Sequence, residues 1–342
     1  MKLKVGQVGI GTWGQYHCKL LSEIGEIEFA GIFDINSERA EKFSGLFNVK
    51  KYDKLNILIG DLDALIITTP TMQHYEIAQL ALNNNLHTFV EKPICTSVQQ
   101  AHSLTKTAQE KKLILQVGHI ERFNPAFLAL KQEQLQPLFI ECQRLTPFSP
   151  RCTDVSVVLD LMIHDIDLVL NLVGNPIKNI SANGLALVTD KIDFANARIE
   201  FESGTIADLT ASRIAENKKR TMAVYQRDAN YQLNFIDRSA FKMSHDIRQH
   251  QFSVPEENGI NNFQSTKNNS NGYKSQLSSP NQAENNLLSL ELNSFIDAIQ
   301  KNGQPYVNGL AGTQALEVAF EIMDKIENCH YPVNHTANLI NT

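Results

Sequence analysis

Glu91-Lys92-Pro93 joins a carboxylate, a cation and a rigid residue directly after a short apolar segment, residues 86–90. That segment is typical of a buried strand, so the three residues are expected at a strand end. Pro93 restricts the backbone of the residue before it, which favours a fixed position for Lys92. A fixed lysine could polarise a substrate oxygen and stabilise the charge that develops there. The alternative is a solvated lysine at the end of the strand.

Asp160 and His164 lie four positions apart within residues 157–173, a segment whose apolar spacing predicts one long helix. At that spacing the two side chains share one face of the helix, whereas Asp165 and Asp167 point elsewhere. A histidine with a carboxylate on its own face suits a general base with an orienting or substrate-binding partner. The alternative is an ordinary hydrogen bond on a helix surface.

Arg122 and Asn124 belong to a third polar group, residues 118–125, where the chain is expected to cross to a second domain. Guanidinium and amide donors suit anionic or polyhydroxylated ligands. The alternative is structural: Arg122 would form an interdomain salt bridge, and Asn124 would cap a helix with Pro125 at its first position. The two interpretations are compatible.

Residues 9–14, with the sequence GIGTWG, fit the dinucleotide-binding pattern G-x-G-x-x-G. They follow a predicted strand and precede a predicted helix, and Asp34 ends the next predicted strand 20 residues after Gly14. Gly9 would allow the tight turn, Gly11 the approach of a pyrophosphate, and Gly14 the close packing of helix on strand. The alternative is a glycine-rich turn with an unrelated aspartate.

Asp34 can accept hydrogen bonds from ribose hydroxyls and would repel a 2′-phosphate, so NAD is favoured over NADP. In a doubly wound sheet, the segments that follow the other strands lie at the same carboxyl edge. His74 could line that cleft or be an ordinary histidine on a helix surface. The predicted cofactor-binding residues are Gly9, Gly11, Thr12, Trp13, Gly14, Asp34, Thr69, Pro70, His74, Glu91 and Lys92.

Strand and helix signals alternate up to about residue 120, which predicts a parallel sheet covered on both faces. After the helix at 157–173, strand signals follow one another without helices, which predicts an open, mostly antiparallel sheet. The expected fold is an α/β Rossmann domain (doubly wound parallel sheet), residues 1–120, followed by an α+β domain for substrate binding and oligomerisation, residues 121–330. Residues 255–286, rich in Asn and Ser, are expected to form a mobile polar excursion, with a substrate lid as the alternative. Residues 331–342 are expected to form a frayed tail.

Composition narrows the possible functions. The 342 residues carry a net charge of −6, with neither a basic excess nor a basic run, so nucleic-acid binding is disfavoured. No apolar stretch is long enough to span a membrane, and the start shows no secretion signal, so a cytoplasmic location is expected. The five cysteines include no CxxC pair, so no metal site and no disulfide framework are expected.

The glycine turn, Glu91-Lys92-Pro93 and the spacing of Asp160 and His164 together resemble the Gfo/Idh/MocA family of sugar and cyclitol dehydrogenases, over nearly the whole chain. This resemblance implies hydride transfer to C4 of the nicotinamide of NAD. It also implies catalytic roles: His164 as general base, Lys92 as stabiliser of the oxygen charge, and Asp160 as orienting residue. A homodimer or homotetramer, assembled through the open sheet, is implied as well.

Residues 118–125, 147–151 and 160–169 are similar to the family's subgroup of UDP-N-acetylglucosamine 3-dehydrogenases. This similarity implies oxidation of the sugar 3-hydroxyl, followed by a partner aminotransferase that makes the diamino sugar for lipid A. Arg122, Asn124 and Arg151 would then bind the diphosphate of the nucleotide sugar, beside Lys92 and the residues of the predicted helix. The implied substrate-binding residues are Lys92, Arg122, Asn124, Arg151, Asp160 and His164.

Three alternative functions remain open at this point. A dehydrogenase of a free sugar or inositol would need no diphosphate contacts. A hydrolase or epimerase that recycles bound NAD would produce no net NADH. A non-catalytic NAD-sensing protein would have no need of Lys92, Asp160 and His164 together.

Overall fold

The computed structural model describes residues 2–150, 154–245, 274–278 and 286–328. Its first sheet has five parallel strands in the order β2-β1-β3-β4-β5. These strands are β1 (Leu3–Val8), β2 (Ile27–Phe33), β3 (Ala64–Ile67), β4 (His87–Glu91) and β5 (Leu115–Gly118). The predicted Rossmann sheet is thereby confirmed, and the carboxyl ends of its strands form one edge.

Five helices connect or flank these strands: α1 (Gly14–Glu23), α2 (Ser37–Phe47), α3 (Leu55–Ile59), α4 (His74–Asn83) and α5 (Val98–Glu110). Polar side chains define two of the helix starts. Asn36 accepts a hydrogen bond from the backbone of Arg39 at the start of α2, and Ser97 does the same for Gln100 at α5. β3, at the centre of the sheet, is wholly apolar and buried, as expected for a strand covered on both faces.

The second sheet has eight strands in the order β13-β12-β11-β10-β6-β9-β8-β7. They are β6 (Phe139–Leu145), β7 (Ile177–Leu185), β8 (Phe194–Phe201), β9 (Ile206–Ser212), β10 (Lys219–Tyr225), β11 (Ala229–Asn234), β12 (Ser239–Ser244) and β13 (Lys274–Gln276). All neighbouring pairs are antiparallel except β6 and β9, so the predicted mostly antiparallel sheet is confirmed. Burial alternates along β8, which gives the sheet one buried face and one partly exposed face.

The helix predicted over residues 157–173 has two parts. Val158–Met162 forms a π turn, and α7 (Ile163–Val173) continues from it to Gly174, which has positive φ. A π turn within a helix shifts the register of the side chains that follow, and such turns occur often at functional sites. Asp160 lies in the π turn, and His164 lies in the first turn of α7.

A short helix, α6 (Pro125–Leu130), and two C-terminal helices, α8 (Leu287–Gln300) and α9 (Gly309–Asn328), complete the fold. α8 packs on the first sheet, where Leu292 and Phe295 join the same apolar cluster as Phe89 of β4. In α9, a Cβ on Gly312 would collide with Val117, so a small residue allows the close approach. The domain boundary at residue 120 stays a prediction. Helices α8 and α9, which lie within the predicted second domain, pack against the first sheet.

Of the predicted excursion at residues 255–286, the structure describes only residues 274–278 and 286, and its mobility stays a prediction. β13 pairs with β12, and Leu277 packs against the core. Asn286 caps α8. Residues 255–273, 279–285 and 331–342 lie outside the described residues. Within the described ranges, no helix has the length and apolar character of a membrane span.

Candidate active site

The glycine loop between β1 and α1 has the shape that a dinucleotide requires. Gly9 has φ of +84°, and a Cβ there would lie 2.8 Å from the backbone nitrogen of Thr69. A Cβ on Gly14 would collide with the carbonyl oxygen of Gly9. At Gly11, by contrast, a Cβ would meet nothing within 4 Å. The backbone at Gly11 therefore faces open space beside the start of α1, where a pyrophosphate fits.

Asp34 ends β2 and points back to the glycine loop. Its carboxylate accepts hydrogen bonds from the backbone nitrogens of Ile10 (2.6 Å) and Asn36 (2.8 Å), and Arg39 lies 3.5 Å away. A cleft of about 540 Å³ opens beside it, lined by Ile10, Gly11, Thr12, Gln15, Asn36, Glu38, Arg39, Lys42 and Phe43. We expect this cleft to hold the adenosine half of NAD, and Asp34 stays the predicted acceptor for the ribose hydroxyls.

Thr69, Pro70 and His74 follow β3 and lie at the carboxyl edge of the first sheet. His74 is buried, and its ring nitrogens lie 2.9 Å from the carbonyl oxygen of Pro93 and 2.8 Å from that of Thr69. The ring therefore connects the segments that follow β3 and β4. His74 lies neither in the cleft nor on a helix surface, so its support of the cofactor edge is indirect.

Glu91 ends β4 and forms an ion pair with the buried His17 of α1, at 2.8 Å between Nε2 and Oε1. Burial alone raises the pKa of Glu91, but the hydrogen bond and the charge of His17, together with Lys92, bring it below its usual value. Gly118 of β5 allows this position, because a Cβ there would lie 2.8 Å from Glu91 Oε2. The ionised carboxylate thus links α1, β4 and β5 at the carboxyl edge.

Lys92 reaches from the first sheet to the π turn. The Lys92-Pro93 peptide bond is cis, and Lys92 Nζ donates to the backbone carbonyl of Asp160 at 2.7 Å, with Asp160 Oδ1 at 3.4 Å. The side chains of Lys92 and Asp160 are 20% and 27% exposed, so both remain accessible to a small molecule. The structure brings together these two residues, which were predicted from separate motifs.

His164 is partly buried beside this pair. Burial lowers the pKa of His164 well below 6.5, and the positive charges of Lys92 and Arg144 lower it further. Its Nδ1 is buried and has no hydrogen-bond partner among the described residues. The ring of His119 meets it edge-on, with 6.4 Å between the ring centroids. At neutral pH His164 is therefore an uncharged imidazole that can accept a proton.

Two buried ion-pair groups fix the rotation of α7. Asp165 binds Arg144 of β6 with three hydrogen bonds of 2.7 to 3.1 Å, and Arg144 also donates to Glu121 at 2.8 Å. Arg122 forms a bidentate ion pair with Asp167, in which Nη2 donates to Oδ1 at 2.6 Å and Nε donates to Oδ2 at 2.7 Å. Because successive residues of a helix are turned by about 100°, these anchors flank His164 on both sides.

Two of the residues that were predicted to bind the diphosphate, Arg122 and Asn124, already have partners within the protein. Arg122 is 4% exposed and committed to Asp167, so its position matches the structural alternative. Asn124 caps α6 by accepting from the nitrogen of Ala126, and its amide donates to Glu121 and to the carbonyl oxygen of Phe235. Arg151 lies outside the described residues.

Arg220 of β10 was not predicted to belong to the site. It is 37% exposed, its Nη1 lies 3.3 Å from Glu121 Oε1, and its charge contributes to the low pKa of His164. The sequence signal for it is the basic triplet Lys218-Lys219-Arg220 at the start of a strand. Within the described ranges, no three His, Cys, Asp or Glu side chains form a group that could hold a metal ion.

A parallel sheet with this glycine loop and acidic strand end, facing a Lys–Asp–His group, defines an NAD-dependent oxidoreductase. Residues 3–119 match the oxidoreductase family GFO_IDH_MocA, described by its NAD-binding Rossmann fold, and residues 143–232 match the C-terminal domain of that family. The chain belongs to the Gfo/Idh/MocA family, and its cofactor is NAD.

Relatives of known activity are similar over most of the chain. UDP-N-acetylglucosamine 3-dehydrogenase from Acidithiobacillus ferrooxidans is 31% identical over 95% of this chain and 97% of its own. The solved structure of that enzyme, GnnA, superposes with a TM-score of 0.84 at 30% identity, covering 96% of this chain and 98% of its own. Scyllo-inositol 2-dehydrogenase (NAD(+)) from Bacillus subtilis is 28% identical over 62% of this chain and 68% of its own.

The first prediction concerns Arg122. Replacing it by Met should lower the free energy of unfolding by about 3–5 kcal/mol, because Asp167 would be left charged and buried. Chemical denaturation measures this loss, and Lys301→Met, at an exposed ion pair with Asp297, should cost less than about 1 kcal/mol. Unchanged stability in the Arg122 variant, together with weaker substrate binding, would instead support a role in ligand binding.

The second prediction concerns Asp34. Asp34→Ser should lower kcat/KM for NAD roughly 10- to 100-fold, the value of a charge-assisted hydrogen bond, and improve NADP relative to NAD. Steady-state kinetics with both cofactors measure the ratio. Glu28→Gln removes an exposed charge from the same strand outside the cleft, so it should leave the ratio nearly unchanged. Wild-type cofactor preference in the Asp34→Ser variant would contradict the assignment.

The third prediction concerns pH. Because the neutral form of His164 is the proton acceptor, activity should fall only as the pH drops well below 6.5, through its lowered pKa. Lys92→Met removes the strongest of the positive charges that act on His164, so the acid limb of its residual activity should move up towards 6.5. The measurement is kcat/KM against pH for both proteins, and an unmoved limb would show that Lys92 does not control this pKa.

Proposed function

We propose that this protein oxidises the 3-hydroxyl of UDP-N-acetylglucosamine to a ketone with NAD as the oxidant. The observation that carries the proposal is the contact of Lys92 with Asp160 beside an uncharged His164, at the carboxyl edge of the NAD-binding sheet. A cation for the substrate oxygen and a base for its proton are the two groups that alcohol oxidation requires.

His164 takes the proton of the hydroxyl group as the carbon is oxidised. NAD bound at the carboxyl edge of the first sheet would supply the redox chemistry, as the acceptor of a hydride from the same carbon. The proton and the hydride together account for the two hydrogens lost when an alcohol becomes a ketone. Because Lys92 and Arg144 disfavour a charged imidazole, the proton passes on readily to solvent after each turnover.

Lys92 donates to the substrate oxygen and stabilises its developing negative charge. Its Nζ has three protons, and the carbonyl oxygen of Asp160 accepts one of them at 2.7 Å. A second proton is directed at Asp160 Oδ1 over the longer distance of 3.4 Å, so one proton remains available to the substrate. Asp160 therefore acts mainly by orienting Lys92, and its carboxylate, which is 27% exposed, can also accept from a neighbouring sugar hydroxyl.

The substrate class rests on the relatives. The similarity to UDP-N-acetylglucosamine 3-dehydrogenase spans both domains, whereas the similarity to scyllo-inositol 2-dehydrogenase spans 62% of the chain. Inositol or a free sugar is therefore the second candidate. Both candidates share the acid–base chemistry described above, and they differ in whether the enzyme needs a nucleoside diphosphate on the substrate.

The fourth prediction is that the purified protein forms NADH from NAD when UDP-N-acetylglucosamine is added. Absorbance of NADH measures the reaction, with a ketone trap to draw the equilibrium forward. His164→Ala should lower kcat roughly 100- to 10,000-fold, the contribution of a general base, with little change in NAD affinity. His102→Ala, at an exposed histidine paired with Glu317, is the matched control and should keep full activity.

Activity with inositol or free N-acetylglucosamine but not with the nucleotide sugar would favour the second candidate. Bound NAD without net NADH, but with an altered sugar, would indicate redox-neutral chemistry. An unchanged biological output in the His164 variant would indicate an NAD sensor.

We also propose that the ketone passes to an aminotransferase in a cytoplasmic route to the diamino sugar of lipid A, since a carbonyl is the substrate that transamination requires. A homodimer or homotetramer formed through the second sheet is proposed too. Its partly exposed face carries polar pairs such as Arg198 with Asp208, which suit an interface between copies of the chain.

A further inference from the structure

A second cleft, here called the basic cleft, adjoins the glycine loop and shares Thr12 with the cleft beside Asp34. Its volume is about 750 Å³. It is lined by α1, by the turn that follows β5, by the start of β10 and by the start of α8. The residues used below are Thr12, Trp13, Tyr16, Lys218, Arg220 and Phe235. Thr12 lines both clefts, so a molecule in the basic cleft would lie directly beside the cofactor.

The basic cleft carries excess positive charge in a chain whose net charge is −6. On the α1 side, Lys19 and Glu23 lie 3.9 Å apart and offset each other. On the β10 side, Lys218 is exposed and Arg220 is 37% exposed, and Arg238 lines the same wall. Cations on one wall of a cleft attract an anionic ligand and fix its position.

Arg220 connects the basic cleft to the reacting groups. Glu121 holds its guanidinium at 3.3 Å, while the stronger contact of Glu121, at 2.8 Å, goes to the buried Arg144. The positive charge of Arg220 also lowers the pKa of His164. An anion bound to Arg220 would therefore lie close to His164.

Aromatic side chains form the opposite wall. Trp13 and Tyr16 are 59% and 55% exposed, which is unusual for rings of this size, and their centroids lie 6.1 Å apart. Phe235, which is buried, lines the same cleft. Flat exposed rings next to cations provide a stacking surface for a base and donors for its phosphates.

We propose that the basic cleft binds the nucleoside diphosphate part of the substrate, with the phosphates on Arg220 and Lys218 and the base against Trp13 and Tyr16. This inference rests on the proposed function and locates the part of the substrate that the chemistry leaves unchanged. It assigns the diphosphate to a half-exposed arginine of the second sheet, in place of the buried Arg122.

The fifth prediction uses Trp13, the single tryptophan of the chain, as a reporter inside the basic cleft. With NAD at saturation, UDP should change the emission of Trp13 saturably, and uridine should bind far more weakly. Arg220→Gln should raise the Kd of UDP roughly 10- to 100-fold, and Lys218→Ala roughly fivefold, because each removes a charged contact to phosphate. Lys106→Ala, at an exposed lysine of α5, should leave the Kd unchanged.

Three results would overturn the inference. UDP binding that is unaffected by Arg220→Gln and Lys218→Ala places the diphosphate elsewhere, and NADH formation from the nucleotide sugar then still supports the proposed function. An equal loss of NAD affinity in both variants assigns the cations to the cofactor. No binding of UDP to the wild-type protein, with NAD binding intact and no NADH formed, removes both the inference and the proposed function.

Discussion

Helix α7 carries three charged or titratable side chains within four positions, and the buried pairs formed by two of them decide where the third one points. Asp165 is held by Arg144 and Asp167 by Arg122, all four nearly inaccessible to solvent. A buried carboxylate without its arginine would be strongly unfavourable, so the helix has one stable rotation. That rotation turns His164 towards Lys92, and the π turn before it presents the carbonyl oxygen of Asp160 to the same lysine.

The first sheet supplies the other half of the site through local backbone geometry. The strand ends of β1, β3 and β4 meet at one edge, and the contacts there are too close for larger residues at Gly9, Gly14 and Gly118. The pair of His17 with Glu91 and the buried ring of His74 tie the loops of that edge together. The cofactor side of the site is thus fixed by packing, and the substrate side by charge.

The sequence was sufficient for the features that depend on neighbours in the chain. The glycine loop with Asp34, the strand end at Lys92 and the spacing of Asp160 and His164 are local patterns with a direct physical meaning. The sharing of Glu121 by Arg144 and Arg220 depends on the alignment of β6 with β10, which are about eighty positions apart, and no local pattern encodes that alignment. The parallel pair of β6 and β9 was missed for the same reason.

Arg122 and Arg220 illustrate why a residue type alone cannot assign a ligand contact. Both side chains are suited to phosphate, and both lie near the catalytic group. Arg122 has a carboxylate of its own that uses its two-pronged geometry fully, and it is shielded from solvent. Arg220 shares Glu121 with a closer competitor, Arg144, and keeps more than a third of its surface exposed. The availability of an arginine to a ligand depends on the donors that remain after its partners within the protein are satisfied, and by that criterion Arg220 is more available to a substrate than Arg122.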